Sequence, residues 1–132
     1  MDAVQGSAAH RAPVVLVIDD EDYVADMLAS GLELEGYTVH VAYNGRDGLV
    51  QAQNLSLDLI IIDIMMPYLS GPTLIQYLRQ QDTTRTVSII LISAGARPQQ
   101  PQPRVLFMPK PFDLDRIMEL VKEQTGFVGN AP

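Results

Sequence analysis

The chain has 132 residues, 47% of them hydrophobic, which suits one domain with a single substantial core and argues against wholesale disorder. It contains no cysteine, which excludes disulfide frameworks, thiol catalysis and Cys-based zinc sites. A net charge of -7 with only two lysines, Lys110 and Lys122, argues against direct nucleic-acid binding, which needs clustered basic side chains to neutralise phosphates.

No apolar run approaches the roughly 18 residues that span a bilayer, so no membrane association is expected. Met1 to Pro13 lacks the apolar centre of a secretion signal. The expected location is the cytoplasm.

Residues 1–12 carry Ala, Gly and Ser without periodicity and are expected to form a flexible tail. Val14 to Ile18 reads as a first buried strand ending in Asp19-Asp20. From Asp22 to Glu35 the apolar residues Val24, Met27, Leu28 and Leu32 recur at helical spacing, and Gly36 marks a helix end. Thr38 to Ala42 is a second strand, and Asn44-Gly45 turns into a helix near Arg46–Gln53. Leu57 to Asp63 is an apolar, β-branched run that stops at a carboxylate, the mark of a parallel strand buried on both faces. Ser70-Gly71-Pro72 opens a helix carrying Leu74, Ile75 and Leu78, with Pro72 in its first turn. Val87 to Ile92 is a fourth strand reaching Ser93-Ala94, and Val105 to Met108 a fifth, followed by Pro109-Lys110-Pro111. A helix from about Asp113 to Gln124 stops at Gly126. The domain is expected to span residues 13–125, with 126–132 a tail or linker stub.

Alternating strands and helices imply an α/β fold, a doubly wound parallel sheet covered on both faces. One segment departs from the alternation. Gly95 to Arg104 contains three prolines, which rule out an ordinary helix interior. A Pro/Gln-rich loop is expected there in place of a fourth helix.

The polar signals share one edge of that sheet, where ligands gather in open α/β folds. Asp19 and Asp20 end strand one, Asp63 ends strand three, Ser93 ends strand four and Lys110 follows strand five. With the strand order 2-1-3-4-5 these strands lie side by side, so three carboxylates converge with a hydroxyl and an ammonium. Clustered acids raise one another's pKa values. A hard divalent cation relieves this, and few carboxylates plus several waters is the coordination that magnesium prefers. Each residue also has a plainer reading: Asp63 as a strand-end carboxylate, Asp19-Asp20 as an N-cap, Ser93 as a structural hydroxyl.

As a set, Asp19-Asp20, Asp63 with Met66-Pro67, Ser93-Ala94 and Lys110-Pro111-Phe112 resemble the receiver domain of two-component response regulators, of the chemotaxis-regulator type with a flavodoxin-like sheet. The resemblance implies that Asp63 accepts a phosphoryl group from a phosphohistidine of a sensor histidine kinase or histidine phosphotransferase. It implies Mg²⁺ held by Asp20, Asp63 and the Met65 backbone carbonyl, with Asp19 acting through water. Lys110 and Ser93 would contact the phosphoryl oxygens. Ser93 and Phe107 would form the switch that changes binding of a downstream protein partner, with Phe107 equally readable as simple core. Lys110-Pro111 is the cis-peptide candidate. Such a domain is not a turnover enzyme on an external substrate, and slow self-dephosphorylation is expected.

The alternative is a receiver-like interaction module that works without phosphate. A haloacid-dehalogenase-type phosphatase wants a second Asp two residues after the first, where Met65 stands. No glycine-rich phosphate loop supports a nucleotide binder.

Overall fold

A computed structural model describes residues 11–95 and 102–128. Five strands and four helices follow in the order β1 (Val14–Ile18), α1 (Asp22–Leu34), β2 (Thr38–Ala42), α2 (Gly45–Asn54), β3 (Leu59–Asp63), α3 (Gly71–Gln80), β4 (Ser88–Ser93), β5 (Val105–Pro109) and α4 (Leu114–Thr125). The sheet is parallel throughout, in the order β2-β1-β3-β4-β5. Boundaries move by a residue or two from expectation: β3 begins at Leu59 rather than Leu57, and β4 begins at Ser88 rather than Val87, while Asp63 and Ser93 end their strands as expected.

Successive strand side chains face opposite sides of a sheet, and here both sides are apolar. Val15, Val17, Leu59, Ile61, Ile90 and Ile92 pack with Leu28 and Leu32 of α1 and Ile117 and Val121 of α4. Leu16, Ile18, Ile60, Ile62, Ile89 and Leu91 pack with Ala52 of α2 and Leu74, Ile75 and Leu78 of α3. The expected doubly wound architecture is thus present, with two of the described helices on each face. Central β3 is buried at all five residues.

The expected Pro/Gln-rich loop falls largely outside the described residues, which omit 96–101. Ser93 to Gly95 and Gln102 to Arg104, on either side, carry no helix. The fourth helix in chain order, α4, follows β5. Arg79 of α3 holds the point where the chain returns to β5, its guanidinium donating to the carbonyls of Thr84 at 2.9 Å, Val87 at 2.7 Å and Pro103 at 3.0 Å. At the same lower edge the Asp58 carboxylate accepts from the Val14 N–H at 2.8 Å, which places it away from Asp63.

Packing continues past the expected boundary at residue 125. Gly126 ends α4 at φ +69°, and the Phe127 ring then meets Tyr37 edge-on with centroids 5.0 Å apart. Tyr37 Oη lies 3.2 Å from Thr125 Oγ1. Phe127 is half-buried, so Phe127→Ala should lower the unfolding free energy by about 1–2 kcal/mol, less than deletion of a fully buried ring. Urea denaturation reads this directly; an unchanged midpoint would mean that the ring contributes nothing.

Candidate functional site

The upper edge of the sheet is where β1, β3 and β4 release their chains. β1 delivers Asp19, only 1% exposed, and the half-buried Asp20. The Asp19 N–H donates to the Ala42 carbonyl at 3.1 Å, and its Oδ1 accepts from the Glu21 N–H at 2.9 Å. This tight turn sends the chain into α1. Glu21, not either aspartate, occupies the N-cap position, and its side chain makes no capping bond.

β3 delivers Asp63, 4% exposed, and the next N–H, of Ile64, donates to the Ile92 carbonyl at 2.8 Å. The strand end is therefore fixed on the β4 side up to its last residue. Carboxylate oxygens of Asp19, Asp20 and Asp63 lie within 4.8 Å of one another. The expected convergence of these three acids is present.

Lys110 reaches this cluster from the far side. Its backbone N–H donates to the Ser93 carbonyl at 2.7 Å, and the Lys110–Pro111 peptide is cis. Its Nζ stands 3.0 Å from Asp63 Oδ1 and 3.7 Å from Glu21 Oε1. Ser93 is 1% exposed, and its Oγ accepts from the Gly95 N–H at 2.9 Å. A hydroxyl that accepts in this way keeps its proton for donation. Phe107 is half-buried on β5, opposite Leu91. Met65 follows at the start of the exposed connection to α3.

Two contributors carried no signal of their own in the sequence. Glu21 was only one more acid in the run from Asp19 to Asp22, yet it is a second partner of Lys110. Gly71 read as part of a helix start, but a Cβ there would stand 2.8 Å from Ile64 Cα and 3.0 Å from the Asp63 carbonyl oxygen. Only glycine lets α3 begin so close beneath the strand end that carries Asp63.

The charges are not balanced. Burial, helped by the charges of Asp63 and Asp20, pushes the Asp19 carboxyl up to about 6 against the opposing Glu21 N–H and Lys110. Burial also raises Asp63 above the usual carboxylate range, although the Lys110 hydrogen bond and charge pull the other way. For Lys110, burial pulls the ammonium down, but its bond to Asp63 and the charges of Asp63, Asp19 and Glu21 outweigh it and hold the pKa up. Three hard oxygen donors short of positive charge fit a small divalent cation.

The protein family described as response regulator receiver domain matches residues 15–122. The chain is 39% identical over 119 residues to a probable transcriptional regulatory protein of Picosynechococcus, covering 79% of this chain and 45% of that protein. It is 35% identical over 116 residues to the sensor kinase CckA of Brucella abortus, covering 83% of this chain and 12% of the kinase. The chain thus spans half or less of the length of these curated relatives. Among solved structures, the receiver domain of the hybrid histidine kinase CckA superposes with a TM-score of 0.75 at 33% identity, covering 85% of this chain and 98% of that one. The chemotaxis protein CheY4 of Vibrio cholerae gives 0.78 at 25% identity, covering 85% and 98%.

A carboxyl whose pKa rises on folding stabilises the fold below its unfolded value and loses that stabilisation as pH climbs through the folded value. For Asp19 the window runs from 3.8 to about 6, a shift worth about 3 kcal/mol. Metal-free protein should therefore melt lower at pH 8 than at pH 5. Asp19→Asn should flatten that decline, since an amide oxygen can still accept from Glu21. Millimolar Mg²⁺ should restore the wild-type melting temperature at pH 8. Thermal melts across pH, with and without Mg²⁺, check both; a wild-type profile that rises from pH 5 to 8 without metal would contradict the account.

Proposed function

The chain belongs to the response regulator receiver domain family, and on that premise we propose that Asp63 accepts a phosphoryl group from a phosphohistidine of a sensor histidine kinase or histidine phosphotransferase. The observation that carries the reading is the Asp63 carboxylate, buried among two further acids with Lys110 Nζ at 3.0 Å.

A carboxylate attacks without first losing a proton. An Asp63 oxygen forms the new bond to phosphorus while the P–N bond to the donor imidazole breaks, and the imidazole nitrogen leaves with that electron pair. Such transfer is mostly positioning and charge stabilisation. Lys110 already sits on the oxygen it would share with the incoming group, and the Ser93 hydroxyl has a proton to give to a phosphoryl oxygen. Glu21 offers the ammonium a second acceptor within reach.

Asp20, Asp63 and the Met65 backbone carbonyl, with Asp19 through water, are the groups that would hold Mg²⁺. Bound there, the ion neutralises charge on the phosphoryl oxygens. The phosphoryl group ends on the protein's own side chain, so no external substrate is turned over. Its charge of about -1.5 to -2 is the signal: Ser93 drawn towards it would open space into which Phe107 can move, changing the surface met by a downstream protein partner. No described helix is long and apolar enough to cross a membrane; a donor of this class would place the domain in the cytoplasm.

Incubation with Mg²⁺ and acetyl phosphate should add one phosphoryl mass to the wild type and none to Asp63→Asn. Lys110→Ala should label about 100-fold more slowly. Equal labelling of wild type and Asp63→Asn would overturn the assignment. No labelling of folded wild type would favour an interaction module that works without phosphate. Met65 and Gly95 offer no polar side chain to orient a hydrolytic water, so the aspartyl phosphate should be long-lived; loss of label within seconds would refute that.

A further inference from the structure

Between Asp63 and α3 the chain makes a turn that its sequence does not favour. The Leu69 N–H donates to the Pro67 carbonyl at 2.7 Å, closing three residues around Tyr68, whose φ is +68°. Turns of this kind are rare and strained, and a bulky side chain at positive φ is an outlier where glycine would sit freely.

The ring returns nothing to the fold, since Tyr68 is 105% exposed. Anchoring of the connection falls instead to Met66, which is buried, and to Leu69, packed so closely on α2 that a Cβ at Gly45 would meet its Cδ2 at 2.9 Å. The other exposed tyrosines differ. Tyr43 Oη donates to Asp26 at 2.6 Å, and Tyr23 and Tyr77 sit on regular helices. Tyr68 alone among these combines a strained backbone with a fully exposed ring. Backbone strain persists mainly where function requires it.

We propose that Tyr68 is a specificity-determining contact for the phosphohistidine-bearing protein that donates to Asp63, an inference that rests on reading Asp63 as the phosphoacceptor. A donor imidazole carried on a protein must reach a carboxylate that is 4% exposed, so the donor's surface has to close over the rim around it. The connection that leaves Asp63 for α3 carries two exposed apolar side chains, Met65 and, five residues after Asp63, Tyr68. Behind Tyr68 a cavity of about 310 Å³ opens between Asn44, Arg46 and Leu69, room for a partner side chain beside the ring. A tyrosine loses little conformational entropy on docking and offers an apolar face with a polar tip, which is why such rings anchor interfaces. A small donor such as acetyl phosphate can enter without touching the rim.

The test compares initial labelling rates from acetyl phosphate and from a phosphorylated histidine kinase chosen because it labels the wild-type chain. The ratio of protein-donor rate to acetyl-phosphate rate should fall about tenfold or more in Tyr68→Gly and Tyr68→Ala, and by less than about threefold in Tyr68→Phe. Tyr68→Gly, freed of the unfavourable φ, should melt no lower than the wild type. An unchanged ratio in Tyr68→Gly overturns the proposal, as does a large drop in its melting temperature, which would give the ring a structural role. If Asp63→Asn labels as fast as wild type from either donor, the phosphoacceptor reading fails and this contact with it. That outcome is distinct from a changed or unchanged Tyr68 ratio.

Discussion

Three carboxylates held against one ammonium at the end of a buried sheet are the constraint on which this domain turns. Like charges within 4.8 Å of one another repel by about 3 kcal/mol per pair even at an effective dielectric constant near 20. One Lys110–Asp63 pair at 3.0 Å offsets only part of that. Exposed ion pairs such as Lys122–Glu35 contribute at most about 1 kcal/mol each, too little to offset the remainder. The deficit of positive charge is local, and it makes the site receptive to a cation and to chemistry that redistributes charge.

Holding such a cluster requires strands that cannot yield. β3 is hydrogen-bonded to β1 and β4 and is apolar on both faces, so Asp63 cannot withdraw without disturbing both cores. The opposite edge of the sheet is in a different condition. There Arg79 satisfies three backbone carbonyls and Asp58 caps the start of β1. One edge of the sheet is closed and satisfied, and the other carries the unbalanced charge.

The strands were legible because each is a compact apolar run bounded by polar or turn residues, and the polar site was legible because each member stands at or just beyond the carboxyl end of a strand. Which residues face which pair of helices was not. With both faces apolar, Val15 and Leu16 look alike in sequence and only the register tells them apart. Phe127 and Glu21 act through partners distant in the chain, and Arg79 reaches past its near neighbours Thr84 and Val87 to Pro103, so local pattern holds no trace of them. Periodicity by itself carries neither the order of the strands nor the role of each polar residue.

The connection after Asp63 contains two residues that show how steric need and function separate. Gly71 has no alternative, because any side chain there would strike the backbone of Asp63 and Ile64. Tyr68 is the converse, a position where glycine would relieve the backbone yet a large aromatic stands fully in solvent. Packing accounts for the first without reference to any partner. It cannot account for the second, because a ring that buries no surface gains no hydrophobic stability to offset its unfavourable φ. Whatever favours tyrosine at this place therefore lies outside the folded domain, and the loop that carries it begins at Asp63.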